Sequence, residues 1–212
     1  MGETVKRKSY DSTRRSVSSR ARRRRILEAA SAEFVERGYV GTTMSGIAGR
    51  AGVALDTVYT LVGRKTALFR LLVEGAISGE DQAVVADQRD YVRAVQAEGT
   101  AEGKLLVYAR ALCRIQARLA PLLTVLQQAA GADEELAALW LEIAERRATN
   151  MLRLAADLAA VHPLRVPTDQ AAEIIWATGS TELYQLLVQQ RHWHPDVYEQ
   201  WLADTWGRTL LS

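Results

Sequence analysis

The sequence has one cysteine, four prolines and three histidines among 212 residues. A single cysteine, Cys113, excludes a disulfide within the chain, which is typical of proteins kept in a reducing compartment. No uncharged stretch reaches the roughly 18 apolar residues that a membrane span needs, and the basic N-terminus lacks the apolar segment of a secretory signal. The sequence therefore predicts a cytoplasmic protein that makes no membrane contact.

Patterns of catalytic or metal-binding residues are also scarce. His192 and His194 are two positions apart, whereas a metal-binding pair on a helix needs a four-residue spacing, and no carboxylate pattern completes a site. Cys113 lies in an apolar stretch without an evident base, which favours a buried thiol over a nucleophile. The segment GRKT at 63–66 lacks the upstream glycine of a phosphate-binding loop. We therefore predict no enzyme activity, no cofactor and no metal.

The charge is distributed unevenly. The net charge is only +2, but residues 1–65 carry 14 Lys and Arg against 6 Asp and Glu, whereas residues 66–212 carry 13 against 19. A basic end on an acidic body indicates that the first third of the chain faces a polyanion. Residues 1–21 are basic with almost nothing apolar, and we expect a disordered arm there. The run that follows either begins a solvated helix or reaches DNA phosphates or a minor groove; it consists of Arg22, Arg23, Arg24 and Arg25.

Apolar residues recur at helical spacing along the remainder of the chain, and no stretch alternates with period two. The sequence therefore predicts an all-α fold of about nine to ten helices. Glycine, proline and capping residues mark the breaks, and the predicted helices cover residues 23–37, 44–51, 55–62, 65–83, 87–96, 101–119, 121–130, 133–161, 168–190 and 195–211.

The segment 42–69, TTMSGIAGRAGVALDTVYTLVGRKTALF, has the spacing of a helix-turn-helix. Ala48 is small enough for a second helix to cross closely, and Gly52 suits the tight turn where φ is positive. Val58 then anchors the second helix to the core. We therefore predict that residues 55–61 form a DNA-recognition helix.

The longer pattern GYVGTTMSGIAGRAGVALDTVYTLVGRKTALF resembles the DNA-binding domain of the tetracycline-repressor (TetR) family over about residues 22–70. The segments RDYVRAVQAEG, ELYQLLV and QWLADTW are similar to parts of regulators common in actinobacteria. The resemblance implies a homodimer with a helix-turn-helix domain at 22–66 and a helical ligand-binding and dimerisation domain at 67–212. It also implies transcriptional control, usually repression that a small molecule relieves.

The family pattern assigns roles to individual positions. It implies that Thr43 and Tyr59 donate hydroxyls to phosphate and that Lys65 adds charge at a helix N-terminus, where anions are already attracted. By the same resemblance, the residues that face base edges are Ala54, Leu55, Asp56, Thr57 and Thr60. The sequence departs from the pattern at Ala54, where a capping serine is usual, and at Val62, where an aromatic residue is typical. No Arg or Asn within 55–61 can make a bidentate base contact, so we expect readout by hydroxyls, apolar contacts, the arm and DNA shape.

Arg147 interrupts the apolar face of the predicted helix 133–161. It either forms a buried ion pair with Glu182 or serves as a polar group in a ligand pocket. Apolar and aromatic residues on the neighbouring helices fit a plain core, but in the family these helices surround the effector cavity. The predicted pocket, suited to a small apolar or aromatic effector, is lined by Tyr108, Leu112, Trp140, Arg147, Met151 and Trp176.

The last two predicted helices carry more apolar surface than one small subunit needs. A four-helix interface across a two-fold axis would bury that surface. The predicted dimer contacts are Leu183, Leu187, Trp201, Trp206 and Leu210. The main hypothesis is therefore a dimeric repressor that binds a near-palindromic operator on double-stranded DNA and is released by a small effector. The alternative is a helical small-molecule-binding protein or enzyme with a vestigial helix-turn-helix, against which the basic arm argues.

Overall fold

The computed structural model describes the backbone of residues 3–80 and 84–212, and the side chains of residues 18–80 and 84–212. These residues form an all-helical protein, which confirms the predicted fold class. A 3-10 turn at Ala86–Gln88 and a π-helical segment at Gln185–Gln190 accompany the α-helices. The α-helices of the described residues are α1 (Glu3–Gly41), α2 (Met44–Ala51), α3 (Leu55–Val62), α4 (Lys65–Ser78), α5 (Asp90–Ala97), α6 (Ala101–Ala130), α7 (Glu134–Ala159), α8 (Thr168–Thr178), α9 (Thr181–Tyr184) and α10 (Pro195–Leu210).

The chain divides into two compact units, Met1–Leu72 and Val73–Ser212. The division falls inside α4, whereas the sequence predicts a boundary after Thr66. The first half of α4 belongs to the core of the first unit, because Phe69 packs edge-to-face against Phe34 at 4.9 Å between ring centroids. The other fully buried large side chains of this core are Ile26, Ile47, Val58 and Leu68.

Helix α1 begins at Glu3, whereas the sequence predicts a disordered arm over residues 1–21 and a helix from residue 23. The described backbone of residues 3–21 is thus helical, and Met1 and Gly2 lie outside the described residues. Residues 3–37 contain no glycine or proline, so a helix held by the buried Ile26 and Phe34 can propagate towards the N-terminus without a break. The regular helix ends at Gly38, where φ is 68°, as the sequence predicts.

The two short helices of the helix-turn-helix have well-defined ends. The Thr43 hydroxyl oxygen accepts a hydrogen bond of 3.0 Å from the Gly46 amide and so caps α2. Gly52 ends α2 in the left-handed region, with φ 63°. Helix α3 starts from Ala54 without any side-chain cap, which is the departure from the family pattern that the sequence indicates.

Several helix boundaries in the second unit differ from prediction; α5, for example, begins at Asp90 rather than residue 87. Helix α6 runs through Pro121, so the predicted pair 101–119 and 121–130 is one helix. Proline removes one hydrogen bond to the carbonyl of Ala117, and the buried neighbours Ala120 and Leu122 keep the helix in place. Helix α4 ends at Ser78 rather than residue 83, and residues 81–83 lie outside the described part.

The predicted helix 168–190 is interrupted between α8 and α9. Ser180 caps α9 by accepting a 3.2 Å hydrogen bond from the Leu183 amide. The Gly179 carbonyl accepts from Gln116 Nε2 at 3.1 Å, and Thr181 Oγ1 donates to Gln116 Oε1 at 2.9 Å. This buried Gln116 holds the break, because its amide satisfies polar groups that the interruption exposes.

Trp206 and Leu210 are wrong as dimer contacts, because both side chains are 0% exposed within a single subunit. Trp206 stacks on Tyr108 with ring centroids 5.6 Å apart, and its Nε1 donates to Thr178 Oγ1 at 2.6 Å. They belong to the core that α6, α7, α8 and α10 enclose. Among the residues described, no helix is long and apolar enough to cross a membrane, and no group of His, Cys, Asp and Glu could hold a metal ion.

Candidate nucleic-acid interface and cavity

Helix α3 presents an exposed face composed of residues that the sequence predicts to contact DNA. Val58 and Val62 are buried and anchor the opposite face of the helix to the first unit. Leu55 is 39% exposed and Tyr59 is 46% exposed. Ala54 and Thr60 are exposed beside them, and Thr57 is half-buried. The face therefore offers one aliphatic group and two hydroxyls to a partner.

The hydroxyls of this region differ in what they can still donate. Thr60 Oγ1 donates to the Asp56 carbonyl at 2.7 Å, so in this rotamer it can only accept a hydrogen bond from a base. Thr43 Oγ1 accepts the Gly46 amide and lies 3.3 Å from Ser45 Oγ, which leaves its proton able to reach a phosphate oxygen. The predicted phosphate contact of Thr43 thus remains chemically possible while Thr43 caps α2.

Lys65 is the first residue of α4, where backbone amides add positive potential. Its Nζ lies 4.3 Å from the centroid of the Tyr39 ring. The Tyr39 hydroxyl in turn shares a 3.1 Å hydrogen bond with Thr66 Oγ1. This cation–π contact holds the ammonium group beside the N-terminus of the helix.

The four consecutive arginines at 22–25 differ in what their side chains contact. Arg23 Nη1 donates to the Leu61 carbonyl at 2.7 Å, near the C-terminal end of α3, where a cation is favoured. Arg23 therefore supports the recognition helix, a role that the sequence interpretation does not include. Arg24 pairs with Glu28 at 2.9 Å in a largely exposed geometry, and Arg25 is exposed. Arg22 is also exposed, and it lines a groove together with Ser19, Asp56, Thr57, Thr60 and Leu61.

An ion-pair network that the sequence analysis missed fixes α2 against α1. Glu33 is buried and accepts from Arg37 at 3.0 Å and from Arg50 at 3.1 Å. Arg50 also contacts Glu36 at 2.6 Å, and this hydrogen bond lowers the pKa of the Glu36 carboxyl. The two glutamates raise the pKa of Arg50 through the same hydrogen bonds. A signal was present in the sequence, because Glu33 and Glu36 lie three residues apart on one helix face.

A cavity of about 470 Å³ lies within the second unit. Its wall is mostly apolar, and its polar groups come from several helices, including Gln116 and Thr181. Every residue predicted to line the pocket is on its wall, namely Tyr108, Leu112, Trp140, Arg147, Met151 and Trp176. The wall also contains residues that the sequence analysis did not assign to the pocket, among them Ile77, Arg89, Tyr91, Arg146, Asn150 and Glu182.

Arg147 does not form the ion pair with Glu182 that the sequence analysis offers as one interpretation. Its guanidinium carbon lies 5.1 Å from the centroid of the Trp176 ring, and Nη2 donates to the Trp176 carbonyl. Its Nε is buried and has no hydrogen-bond partner among the described residues. Burial lowers the pKa of Arg147, although electrostatic interactions with Tyr108 and Glu182 oppose that shift. Arg147 is therefore a cavity residue with one unused donor.

Tyr108 and Arg146 show how the remaining wall is held. The Tyr108 hydroxyl donates to Met151 Sδ at 3.3 Å, and burial raises the pKa of this phenol. Arg146 Nη2 pairs with the buried Glu74 of α4 at 2.7 Å. The cavity wall is thereby joined to α4 through an ion pair as well as through Ile77.

Comparison with known proteins gives matches at two levels. Residues 26–72 match the family model described as bacterial regulatory proteins, tetR family. The sequence matches no curated protein at a significant level. The fold is similar to that of FadR from Bacillus subtilis, solved with stearoyl-CoA, at a TM-score of 0.68 and 18% identity over 86% of this chain and 96% of that chain.

Two further solved structures share the fold. NalD from Pseudomonas aeruginosa, the secondary repressor of the MexAB-OprM multidrug efflux pump, matches at a TM-score of 0.67 and 20% identity over 92% of this chain and 98% of that chain. A transcriptional regulator from Rhodococcus sp. Rha1 matches at a TM-score of 0.62 and 17% identity over 88% of this chain and 94% of that chain. At these identities the likeness establishes the fold of the chain.

Proposed function

Because this chain belongs to the TetR family of bacterial regulatory proteins and is a DNA-binding transcriptional regulator, we propose that it acts in the cytoplasm as a dimeric repressor. It binds a near-palindromic operator, and a small apolar or aromatic effector in the cavity releases it. The observation that carries the proposal is the exposed face of α3, where Leu55 and Tyr59 are uncovered although the opposite face is fully packed.

Phosphate contacts account for most of the proposed affinity. Arg22, Arg24 and Arg25 are exposed next to the helix-turn-helix, and α3 itself carries no side chain for bidentate base readout. Each neutralised phosphate releases counterions, so the logarithm of the affinity falls linearly with the logarithm of salt concentration. Binding of DNA from upstream of the protein's own gene, measured from about 50 to 200 mM salt, tests this; a flat response refutes it.

Two pairs of variants separate base contact from phosphate contact. Leu55→Ala is expected to weaken operator binding about five- to tenfold through lost apolar contact. Its control, Leu141→Ala, removes an exposed leucine from α7 and should leave binding unchanged. Arg25→Gln should reduce the salt slope by about one contact, whereas Arg208→Gln on α10 should not change it.

The dimer is proposed to form through the second unit. Leu183, Leu187 and Trp201 are only partly buried in one subunit, and they remain the predicted contacts. Leu186 is 49% exposed and Val197 is 55% exposed in the same region. Light scattering should give the mass of two chains at micromolar concentration, and Leu186→Glu should shift the population towards one chain. A stable wild-type monomer would contradict the proposal.

Effector control is supported by the size and lining of the cavity. A volume of about 470 Å³ is within the range of small-molecule sites. FadR, which has a similar fold, was solved with a small-molecule ligand, stearoyl-CoA. An effector should weaken operator binding in a gel shift. If a ligand binds while no DNA sequence from the gene's neighbourhood is retained, the alternative of a small-molecule-binding protein with a vestigial helix-turn-helix is the better description.

A further inference from the structure

The charged side chains on the described cavity wall are three arginines and one glutamate. Arg89, Arg146 and Arg147 all contribute to the wall, whereas Glu182 is the single acidic residue there among those described. Glu182 is exposed, so water screens its charge. Within the described part of the chain, Arg146 is the one of these three arginines with carboxylate partners, the buried Glu74 and the more exposed Glu142. The cavity therefore carries a positive charge that its own side chains do not neutralise.

Arg89 is the more deeply buried of the two unneutralised arginines, with 6% of its surface exposed. Its Nε donates to the Val84 carbonyl at 3.0 Å, and Nη1 lies 3.4 Å from the Tyr91 hydroxyl. Neither partner carries a negative charge. Burying a guanidinium with neutral partners alone costs free energy that an anion would restore.

The partners of Arg147 are also uncharged, and one of its hydrogen-bond donors is unused. Arg147 contacts the ring and the carbonyl of Trp176, both neutral, and its buried Nε finds no hydrogen-bond partner in the described part of the chain. A guanidinium binds a planar carboxylate with two parallel hydrogen bonds, and Nε together with one terminal nitrogen forms one side of that fork. The free Nε of Arg147 is therefore a donor that a ligand carboxylate can use.

We propose that the effector of this cavity is an organic anion with an apolar or aromatic body and one carboxylate, which Arg147 and Arg89 neutralise. This inference rests on the proposed function, since it names the chemical class of the effector. The aromatic rings of Tyr91, Trp140 and Trp176 cover the body of the ligand. A cationic ligand is disfavoured, because it would add charge to a site where arginines already outnumber the screened Glu182.

The test compares ligands that share a body and differ in charge. Calorimetry on the full-length protein near pH 7 measures binding of 2-naphthoate, naphthalene-2-carboxamide and 2-(aminomethyl)naphthalene, and of decanoate with decanamide. We expect at least one acid to bind about tenfold more tightly than its amide, because a charge-assisted hydrogen bond is roughly twice as strong as a neutral one. The amine should bind most weakly. If neither acid binds more tightly than its amide, the proposal is overturned.

Variants assign the preference to the cavity. Arg147→Gln and, separately, Arg89→Gln should bring the acid-to-amide ratio close to one, while Arg114→Gln should leave it unchanged. Arg114 is exposed on α6 and is not part of the cavity wall, so its variant removes the same charge elsewhere. An acid preference that survives both cavity variants refutes the assignment.

The same samples are tested for DNA binding. Operator binding without an acid preference refutes the carboxylate proposal and leaves the repressor proposal intact. An acid preference without DNA binding supports the carboxylate proposal and refutes the repressor proposal.

Discussion

Helix α3 lacks a capping side chain at its N-terminus, and introducing one should stabilise the helix. Ala54 occupies the N-cap position with φ −67° and ψ 147°, a backbone conformation that suits a capping serine. Its carbonyl already accepts from the Thr57 and Val58 amides, so only the side-chain interaction is missing. The Thr43 cap of α2, at 3.0 Å, shows the geometry that Ala54→Ser would reproduce. We expect the free energy of unfolding to rise by about 1 kcal/mol, the usual contribution of such a cap.

The assay is urea unfolding followed by circular dichroism, because all five tryptophans lie beyond residue 72 and would not monitor the first unit. The midpoint should rise at constant slope. Thr43→Ala should lower the stability by a similar amount, and Ala54→Val, which lacks an oxygen, should bring no gain. If Thr43→Ala destabilises while Ala54→Ser has no effect, the N-terminus of α3 is already satisfied and the reasoning is refuted.

Four further predictions concern stability and are measured by the same unfolding assay. Gly52→Ala should lower the free energy of unfolding by about 1–2 kcal/mol, because φ of Gly52 is 63°. Gly49→Ala should raise it by about 0.5–1 kcal/mol, because Gly49 is helical and a Cβ there meets no neighbouring atom. Equal effects of the two substitutions would contradict the conformational argument. Tyr198→Phe should be neutral or stabilising by up to about 1 kcal/mol, because the buried Tyr198 hydroxyl lacks a partner among the described residues. Burial raises the pKa of Tyr108 and Tyr198, so both side chains stay neutral in the folded protein at a pH where the tyrosines of the unfolded chain ionise. The free energy of unfolding should therefore fall above about pH 10, and it should fall less steeply with pH in Tyr198→Phe. The same dependence on pH in Tyr198→Phe and the wild type would refute this. Arg146→Ala should cost about 1–2 kcal/mol because it leaves the buried Glu74 carboxylate unpaired, while Arg153→Ala, whose pair with Asp87 is exposed, should cost at most about 0.5 kcal/mol.

The helix-turn-helix could be predicted closely because its determinants are local. Thr43, Gly52 and Ala54 each act on backbone groups within four residues, and the ends of α2 and α3 agree with the prediction. The breaks in the second unit depend on distant residues. Gln116 bonds to Gly179 across 63 positions and Trp206 to Thr178 across 28, so no local pattern marks the end of α8. The predicted break at Pro121 was wrong, because the packing of its buried neighbours stabilises α6 by more than the one lost hydrogen bond costs.

The cavity residues were predictable as a set because they lie on inward faces of regular helices. The sequence could not tell a core wall from a dimer face, since both are apolar, and Trp206 was therefore misplaced. It also could not decide the role of Arg147, because an ion pair with Glu182 and a place on a ligand pocket both suit an arginine on an apolar helix face. Arg89 was missed because the sequence predicts it inside a helix over 87–96, whereas it stands just before α5, which begins at Asp90. The DNA contacts and the remaining dimer contacts stay predictions.

The cavity wall is drawn entirely from residues 77–182, within one of the two units. Binding free energy from a ligand is therefore added to the stability of that unit, by RT ln(1 + [L]/Kd) when the unfolded chain does not bind. At a concentration one hundred times the dissociation constant this amounts to about 2.7 kcal/mol. The tryptophans of the same unit report its unfolding, with Trp140 and Trp176 on the cavity wall itself. A compound library can thus be screened by the shift in tryptophan-monitored melting, before the operator sequence is known.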